Sequence, residues 1–374
     1  MRSISANFIS ILYKRIAKPI FFLSDAETVH ESVVNIGKHI GDNVIAKQFF
    51  KYIFYYQDKK LAQNLFNIKF ENPIGLSAGF DYNASLTQIL PALSFGFETV
   101  GTITNLPYEG NPKPRLGRLP KSKSLLVNKG FKNLGIETVL QRLSNKRFLI
   151  PIGISIGQTN SKNITTLKEA IDDIVSAFKK TERSKIPFSY YELNISCPNL
   201  NTSLSFYPPE NLNELLKQVT NLKLKQPLFI KMPIEKSNKE VESMLDVIIK
   251  YPVQGVIFGN LQKNRNDPAI DQNEAKKFTR GNFSGKPTEK KSNELIKLCY
   301  KKYGKKLVII GCGGVFSAQD AYKKIKLGAT LVQLITGLVF EGPQLVTQIN
   351  MELSELLEKD GYKNISEAIG KEHK

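Results

Sequence analysis

Tyr191-Glu-Leu-Asn-Ile-Ser-Cys-Pro-Asn199 is the stretch on which the fold turns. It reads as a strand buried in a parallel sheet that runs out, at its C-terminal end, into a thiol, a proline and amide side chains. That strand end is where an α/β barrel keeps its chemistry. Cys197 is therefore a candidate proton-transfer group, although a cysteine beside proline is also a common small buried hydrophobe. Asn194 and Asn199 flank it, and both can hydrogen-bond a planar, amide-rich ligand from one rim.

Outward from this segment, short apolar runs alternate with helical ones. The strands expected are Asn72 to Gly79, Thr99 to Asn105, Ile150 to Ile156, Tyr191 to Ser196, Leu228 to Met232, Gly255 to Asn260, Leu307 to Gly314 and Leu331 to Thr336. Between them lie helix candidates such as Thr165 to Thr181, Glu210 to Leu224, Lys239 to Tyr251, Thr288 to Tyr303 and Ser317 to Leu327, and Pro343 to Leu357 follows the last strand. This alternation predicts an α/β fold of the (β/α)8 TIM barrel type. An open doubly wound sheet would also tend to show a GxGxxG turn after its first strand, and none is present. The barrel is expected over residues 61–361, with an N-terminal helical extension over 1–60 and a C-terminal tail over 362–374.

The extension differs in style from the rest. Residues 7–23 combine bulky apolar side chains with Lys14, Arg15 and Lys18. These cations interrupt what would be the apolar core of a secretory signal, and the segment is too short and too charged to span a bilayer. Ser24-Asp-Ala-Glu27 predicts a capping box for a helix carrying Val29, Val33, Val34, Ile36 and Ile40, and an aromatic cluster from Phe49 to Tyr56 follows. Amphipathic helices of this kind lie on a membrane or pack on the domain.

Composition narrows the chemistry. A chain of 374 residues with 41% hydrophobic content can bury one large core. Cys197, Cys299 and Cys312 lie far apart with no CxxC pair, which argues against a disulfide framework or a zinc ribbon and fits a reducing, cytoplasmic setting. His30, His39 and His373 all fall outside the central region, so most histidine triads and metal sites are removed from consideration. The net charge of +19 admits nucleic acid, an anionic membrane surface or lysines spread over solvated helix faces, and decides nothing by itself.

Strand seven ends Ile310-Gly-Cys-Gly-Gly314 and strand eight ends Ile335-Thr-Gly337. Small residues at these two ends leave backbone N–H groups free to approach a phosphate, the usual place for one in this fold. Lys231, a lone cation inside strand five, needs an anionic or electron-rich partner. A phosphate-bearing cofactor with a reducible ring would meet both requirements.

Over nearly its whole length the chain resembles the dihydroorotate dehydrogenase family, and specifically its quinone-dependent, membrane-associated class. The resemblance is carried in order by Asp25-Ala-Glu-Thr-Val-His-Glu-Ser32, Asn72-Pro-Ile-Gly-Leu-Ser-Ala-Gly-Phe-Asp81, Gly101-Thr-Ile-Thr104, Glu109 to Arg115, Asn128-Lys-Gly-Phe131, Asn194 to Asn199, Phe283-Ser-Gly-Lys-Pro287, Ile310 to Gly314 and Leu331 to Pro343. It implies FMN at the C-terminal mouth of the barrel and oxidation of dihydroorotate to orotate in pyrimidine synthesis. Electrons would pass to a quinone, on a cytoplasmic protein held peripherally at the inner membrane by its extension, with no nucleic-acid partner.

Roles follow from the same resemblance. Removing a proton and a hydride from a saturated bond beside a carbonyl requires a base facing the flavin across the substrate, and Cys197 matches it. Ala78, Gly79, Thr102, Ser155, Asn194, Lys231, Gly259, Gly285, Gly313, Gly314, Ile335 and Thr336 match cofactor-binding positions. Tyr82, Asn128, Lys129, Gly130, Phe131, Asn194, Asn199, Asn260 and Leu261 match substrate-binding ones. Arg118 matches the position that meets the quinone head group.

The chain departs from the pattern at several of these. Its base is cysteine, the habit of the soluble classes that use fumarate or NAD, where the quinone class has serine. Tyr82 stands where a lysine binds the substrate carboxylate, with Lys129 or Lys132 as candidate replacements. Ser155, Leu261 and Ile335 replace an asparagine, a threonine and a tyrosine. A tRNA dihydrouridine synthase is the alternative FMN barrel with a cysteine beside proline. That family carries Asn-x-Gly-Cys-Pro and a further C-terminal helical domain. A barrel that binds phosphate without redox chemistry is a third reading.

Overall fold

Each apolar run of the sequence becomes one stave of a closed barrel in a computed structural model that describes residues 2–200 and 204–373. The staves are β1 (Ile74–Leu76), β2 (Phe97–Ile103), β3 (Ile152–Ile156), β4 (Tyr190–Asn194), β5 (Leu228–Met232), β6 (Gly255–Phe258), β7 (Val308–Cys312) and β8 (Leu331–Leu334). Each pairs in parallel with its sequence neighbours, and β8 closes onto β1 with Val332 opposite Ile74. The expected (β/α)8 barrel is the fold found. Several expected strands are longer than those observed. Asn72 to Gly79 contracts to β1 and Gly255 to Asn260 to β6, because the backbone leaves the ladder at Gly79 (φ 114°) and Gly259 (φ 158°) to form the loops of the site.

Helices pack outside the staves, including Leu167–Arg183, Pro209–Thr220, Asn238–Ile248, Glu289–Tyr303, Ala318–Lys326 and Leu345–Lys359. Thr166 and Ser237 each close a full capping box, so the polar residue that ends the βα loop also starts the helix. The bottom of the barrel is shut. A hairpin of Gln63–Leu65 and Ile68–Phe70 turns through Phe66 and Asn67, both in the left-handed region, and packs Leu65, Ile68 and Phe70 against Phe97, Tyr190 and Phe229. Rings of this size fit inside the barrel because small residues face them; a Cβ on Gly153 would lie 2.1 Å from the Tyr190 ring. With the bottom plugged, a ligand enters only from the C-terminal ends of the staves. There a three-stranded antiparallel sheet (Leu116–Leu119, Ser124–Val127, Asn282–Phe283) roofs the mouth.

The extension is helical throughout: Arg2–Leu12, a π turn Tyr13–Ala17, Lys18–Leu23, Ala26–Asp42 and Val44–Phe54. The expected Ser24 capping box is not formed. Asp25 is the N-cap, accepting from the Thr28 N–H at 2.8 Å, which frees Glu27 to turn inward. Glu27 is buried and pairs with Arg115 (3.0 Å) and Lys132 (3.1 Å), fastening the extension to the barrel mouth. Val34, Ile40 and Phe50 pack on the apolar layer around Leu86, Ile89 and Leu90. Phe8, Ile16, Ile20, Leu23, Ile45 and Phe49 remain exposed. Among the described residues no helix is long and apolar enough to cross a membrane.

Candidate functional site

The ends of the staves meet at a cavity of about 520 Å³. Among the described residues, candidate site positions from the sequence that line it are Ala78 and Gly79 after β1, nearby Tyr82, Thr102 from β2, Arg118, Lys129, Gly130, Phe131 and Lys132 from the roof, Asn194, Cys197 and Asn199 from β4 and its loop, Lys231 from β5, Asn260 and Leu261 after β6, and Ile335 after β8. Ser155 lies fully buried behind them.

One polar chain organises the floor. The Asn194 amide donates to Thr102 Oγ1 (2.7 Å), Thr102 and Ser155 share a hydrogen bond (2.8 Å), and Ser155 Oγ donates to Glu192 Oε1 (2.7 Å). Lys231 closes this chain, with its Nζ 3.6 Å from Glu192 Oε1 and 3.1 Å from Ser77 Oγ. Both charges are buried, so each fixes the other, and the ammonium stands in the cavity wall beside the Glu192 carboxylate. Ser155 thus bridges Thr102 to Glu192 beneath the cavity wall.

Asn194 also accepts from the Ser196 N–H, and Ser196 receives the Asn260 amide on Oγ (2.6 Å) and on its carbonyl (2.8 Å). Asn199 reaches the roof, donating to the Val127 carbonyl (3.1 Å) and accepting from Asn282 (2.6 Å). Asn128 accepts from Asn111, which also donates to the Asn199 carbonyl. These amides hold a rim around Cys197. Cys197 is half-buried as a residue, and desolvation of its thiol pushes it up to about 12 against the opposing effects of the Asn199 N–H, Lys231 and Lys263.

A second group surrounds the loops after β7 and β8. Ser284 and Thr336 share a hydrogen bond (2.8 Å), Thr288 Oγ1 donates to the Gly285 carbonyl (2.7 Å), and Gly313 abuts Thr288. Gly285, Gly313 and Gly314 all have positive φ, and a Cβ on Gly313 would lie 2.4 Å from Thr288 Oγ1. Only glycine fits these positions, which brings bare backbone and two hydroxyls together in the arrangement a phosphate needs. Gly259 serves differently, packing on the Cys312 carbonyl.

Sequence reasoning missed several contributors. Glu192 lies within the opening segment, but its pairing with Lys231 needs the β4–β5 register that sets Asn194 opposite Lys231. His30, set aside as peripheral, lines the cavity: its ring stacks on Tyr82 (5.5 Å, 22°), and burial, with the Lys129 charge, holds it down to about 3 and hence neutral. Toward the extension the same cavity becomes apolar, walled by Phe21, Phe22, Val29, Val33, Ile36 and Leu338. Arg118 stands there, donating to the Ser24 carbonyl (2.7 Å) and lying 4.8 Å from the Phe22 ring centre.

A barrel with glycine turns and hydroxyls, a buried ammonium and a thiol around one mouth has the layout of the class of enzymes that work on a phosphorylated cofactor. Comparison with known proteins narrows the class. Residues 60–357 match the family model described as dihydroorotate dehydrogenase. The chain is 33% identical to a protein of Trichodesmium erythraeum named dihydroorotate dehydrogenase (quinone), covering 96% of this chain and 98% of that one. It is 34% identical to the mitochondrial dihydroorotate dehydrogenase (quinone) of Arabidopsis thaliana, covering 96% and 82%. Among solved structures, the Eimeria tenella enzyme in complex with ferulenol superposes with a TM-score of 0.81 at 27% identity, covering 94% of this chain and 96% of that one. The chain belongs to the dihydroorotate dehydrogenase family, whose members are flavin-dependent oxidoreductases.

Proposed function

We infer that this chain oxidises dihydroorotate to orotate in pyrimidine nucleotide synthesis, with FMN as cofactor and a quinone as electron acceptor. The observation that carries this reading is the single cavity that joins Cys197, the amide rim and Lys231 to an apolar passage through the extension. FMN fits the residues present. The Gly285, Gly313, Gly314, Ser284 and Thr336 group suits its phosphate, while Thr102, Asn194 and Lys231 suit the polar edge of its ring, the ammonium favouring the reduced, electron-rich form. When bound, the cofactor supplies a hydride acceptor.

The protein supplies the proton chemistry and the geometry. Cys197 is the group that takes a proton from the substrate carbon, as the only thiol lining the cavity among the described residues. Asn194, Asn199 and Asn260, with Asn128 beside them outside the cavity lining, orient the pyrimidine ring, and bonds through Ser196 and Asn111 hold these amides in place before a ligand arrives. The roof excludes water from the reacting face. On the other side, Arg118 and the apolar walls suit a quinone head group and its chain. The exposed Ile16, Ile20, Leu23, Ile45 and Phe49, with Lys14, Arg15, Lys47 and Lys51 near them in sequence, suit a peripheral membrane contact.

Anaerobic dihydroorotate should bleach the visible absorbance of the purified protein within seconds, and a long-chain quinone should restore it faster than fumarate or NAD does. A protein that stays coloured with dihydroorotate refutes the substrate. Faster return with fumarate or NAD refutes the acceptor and aligns the chain with the soluble classes that share its cysteine.

A further inference from the structure

Tyr82 occupies the place where the resemblance leads one to expect a cation, so a substrate carboxylate must find its positive partner elsewhere. Among the described residues four cationic side chains line the cavity: Arg118, Lys129, Lys132 and Lys231. Three are engaged. Lys231 lies against Glu192, Lys132 is shared between Glu27 (3.1 Å) and Glu31 (2.6 Å), and Arg118 is committed to the Ser24 carbonyl on the quinone side.

Lys129 is different. It is 8% exposed, and its Nζ is buried with no hydrogen-bond partner among the described residues. Its ammonium lies over the face of Tyr82, 4.5 Å from the ring centre. A buried, unbonded ammonium is costly unless something satisfies it, and here it stands in the wall of the substrate cavity. Its surroundings act in both directions: burial lowers its affinity for a proton to about 8, the charges of Glu27 and Glu31 oppose this, and those of Lys132 and Arg115 add to it. The backbone explains how a roof residue comes to point inward. Gly130 and Phe131 both have φ of 64°, which turns the chain just after Lys129, and Asn160 donates to the Gly130 carbonyl (3.2 Å) to hold that turn.

We propose that the Lys129 ammonium, held against the Tyr82 ring, is the anchor for the substrate carboxylate, replacing a lysine at position 82 by one that enters from the roof loop. This rests on the dihydroorotate reading above. Lys129 is then the residue that selects an anionic pyrimidine over its neutral relatives, and Tyr82 is a positioning residue that keeps the ammonium aimed.

The test compares binding of orotate and of its neutral carboxamide to the flavin-loaded protein by calorimetry, with thermal melts to check folding. The wild-type protein should prefer orotate, and Lys129→Met should weaken orotate on the order of 10- to 150-fold while leaving the carboxamide within about twofold, which is the loss of one hydrogen-bonded charge. Lys129→Arg should recover part of the preference. Equal orotate affinity in wild type and Lys129→Met, or a matching loss for both ligands, overturns the anchor while leaving dihydroorotate as the substrate. A wild-type protein that binds no orotate overturns the substrate reading and the anchor with it.

Discussion

The thiol of Cys197 makes the sharpest prediction. A base must be deprotonated to act, so the rate of substrate oxidation follows the thiolate fraction. A free cysteine, with a pKa of roughly 8.5, is about 3% thiolate at pH 7. Burial pushes Cys197 up to about 12, and the nearby charges of Lys231 and Lys263 do not restore it. At pH 7 only about one molecule in 10⁵ then carries the thiolate, and each pH unit upward multiplies that number by about ten. Single-turnover bleaching at saturating dihydroorotate, in stopped-flow pH jumps, should therefore rise about tenfold per pH unit between roughly pH 6 and 10 without levelling off. The thiol should also resist alkylation by iodoacetamide at neutral pH. Cys197→Ala should retain cofactor and orotate binding and lose bleaching by at least about a hundredfold. A plateau beginning near pH 7 would refute the reasoning, since some neighbour would then be stabilising the thiolate or another group would be the base. Unchanged bleaching in Cys197→Ala would remove the thiol from the reaction altogether.

Three further outcomes follow from other parts of the structure. Lys231→Met leaves Glu192 charged and unpaired in the barrel, so it should cost about 3–5 kcal/mol in urea titrations and release the cofactor; Lys231→Met with Glu192→Gln should regain much of the stability but not the cofactor, and full loading of either variant would make the lysine purely structural. Glu27, pushed up by burial yet held below its ordinary value of 4.5 by Lys132 and Arg115, contributes stability that is full above that value and lost as pH falls through its folded one; limited proteolysis should therefore release the extension increasingly as pH falls below 4.5, and Glu27→Gln should do so at pH 7. Leu23→Glu, Ile45→Glu and Phe49→Glu together, all at exposed sites, should abolish binding to anionic liposomes and slow turnover with long-chain quinone while sparing bleaching by dihydroorotate; undiminished liposome binding would show that the extension faces water.

The fold was legible because its signal is local and repeated. Most staves are short apolar runs, and β5 is delimited to the residue because Leu228 to Met232 ends at a proline, where the ladder must stop. The ends of β1 and β6 were less so, since Ala78, Gly79 and Asn260 are as compatible with a strand as with the loop they form. The candidate site was legible where one residue sits on a stave or just past its end, as with Asn194, Lys231 and Cys197. It was illegible where function depends on partners remote in sequence. Glu192 reads as an anomalous charge until β5 is laid beside it, Glu27 reads as half a capping box until Arg115 and Lys132 arrive, and His30 reads as peripheral until the extension folds over the mouth.

Tyr82 shows why a departure from a family pattern is not in itself a loss of chemistry. Read alone, an aromatic residue in place of a lysine removes a charge from the substrate pocket. In the structure the aromatic face is occupied by another ammonium, that of Lys129, while His30 stacks at 5.5 Å. Restoring a lysine at position 82 would place a second cation beside one already crowded by Lys132 and Arg115, at a site too buried for solvent to screen them. It would also remove the ring on which both His30 and Lys129 rest. Position 82 and position 129 therefore form one unit, in which the charge has moved to the roof and the aromatic ring below it holds that charge in place.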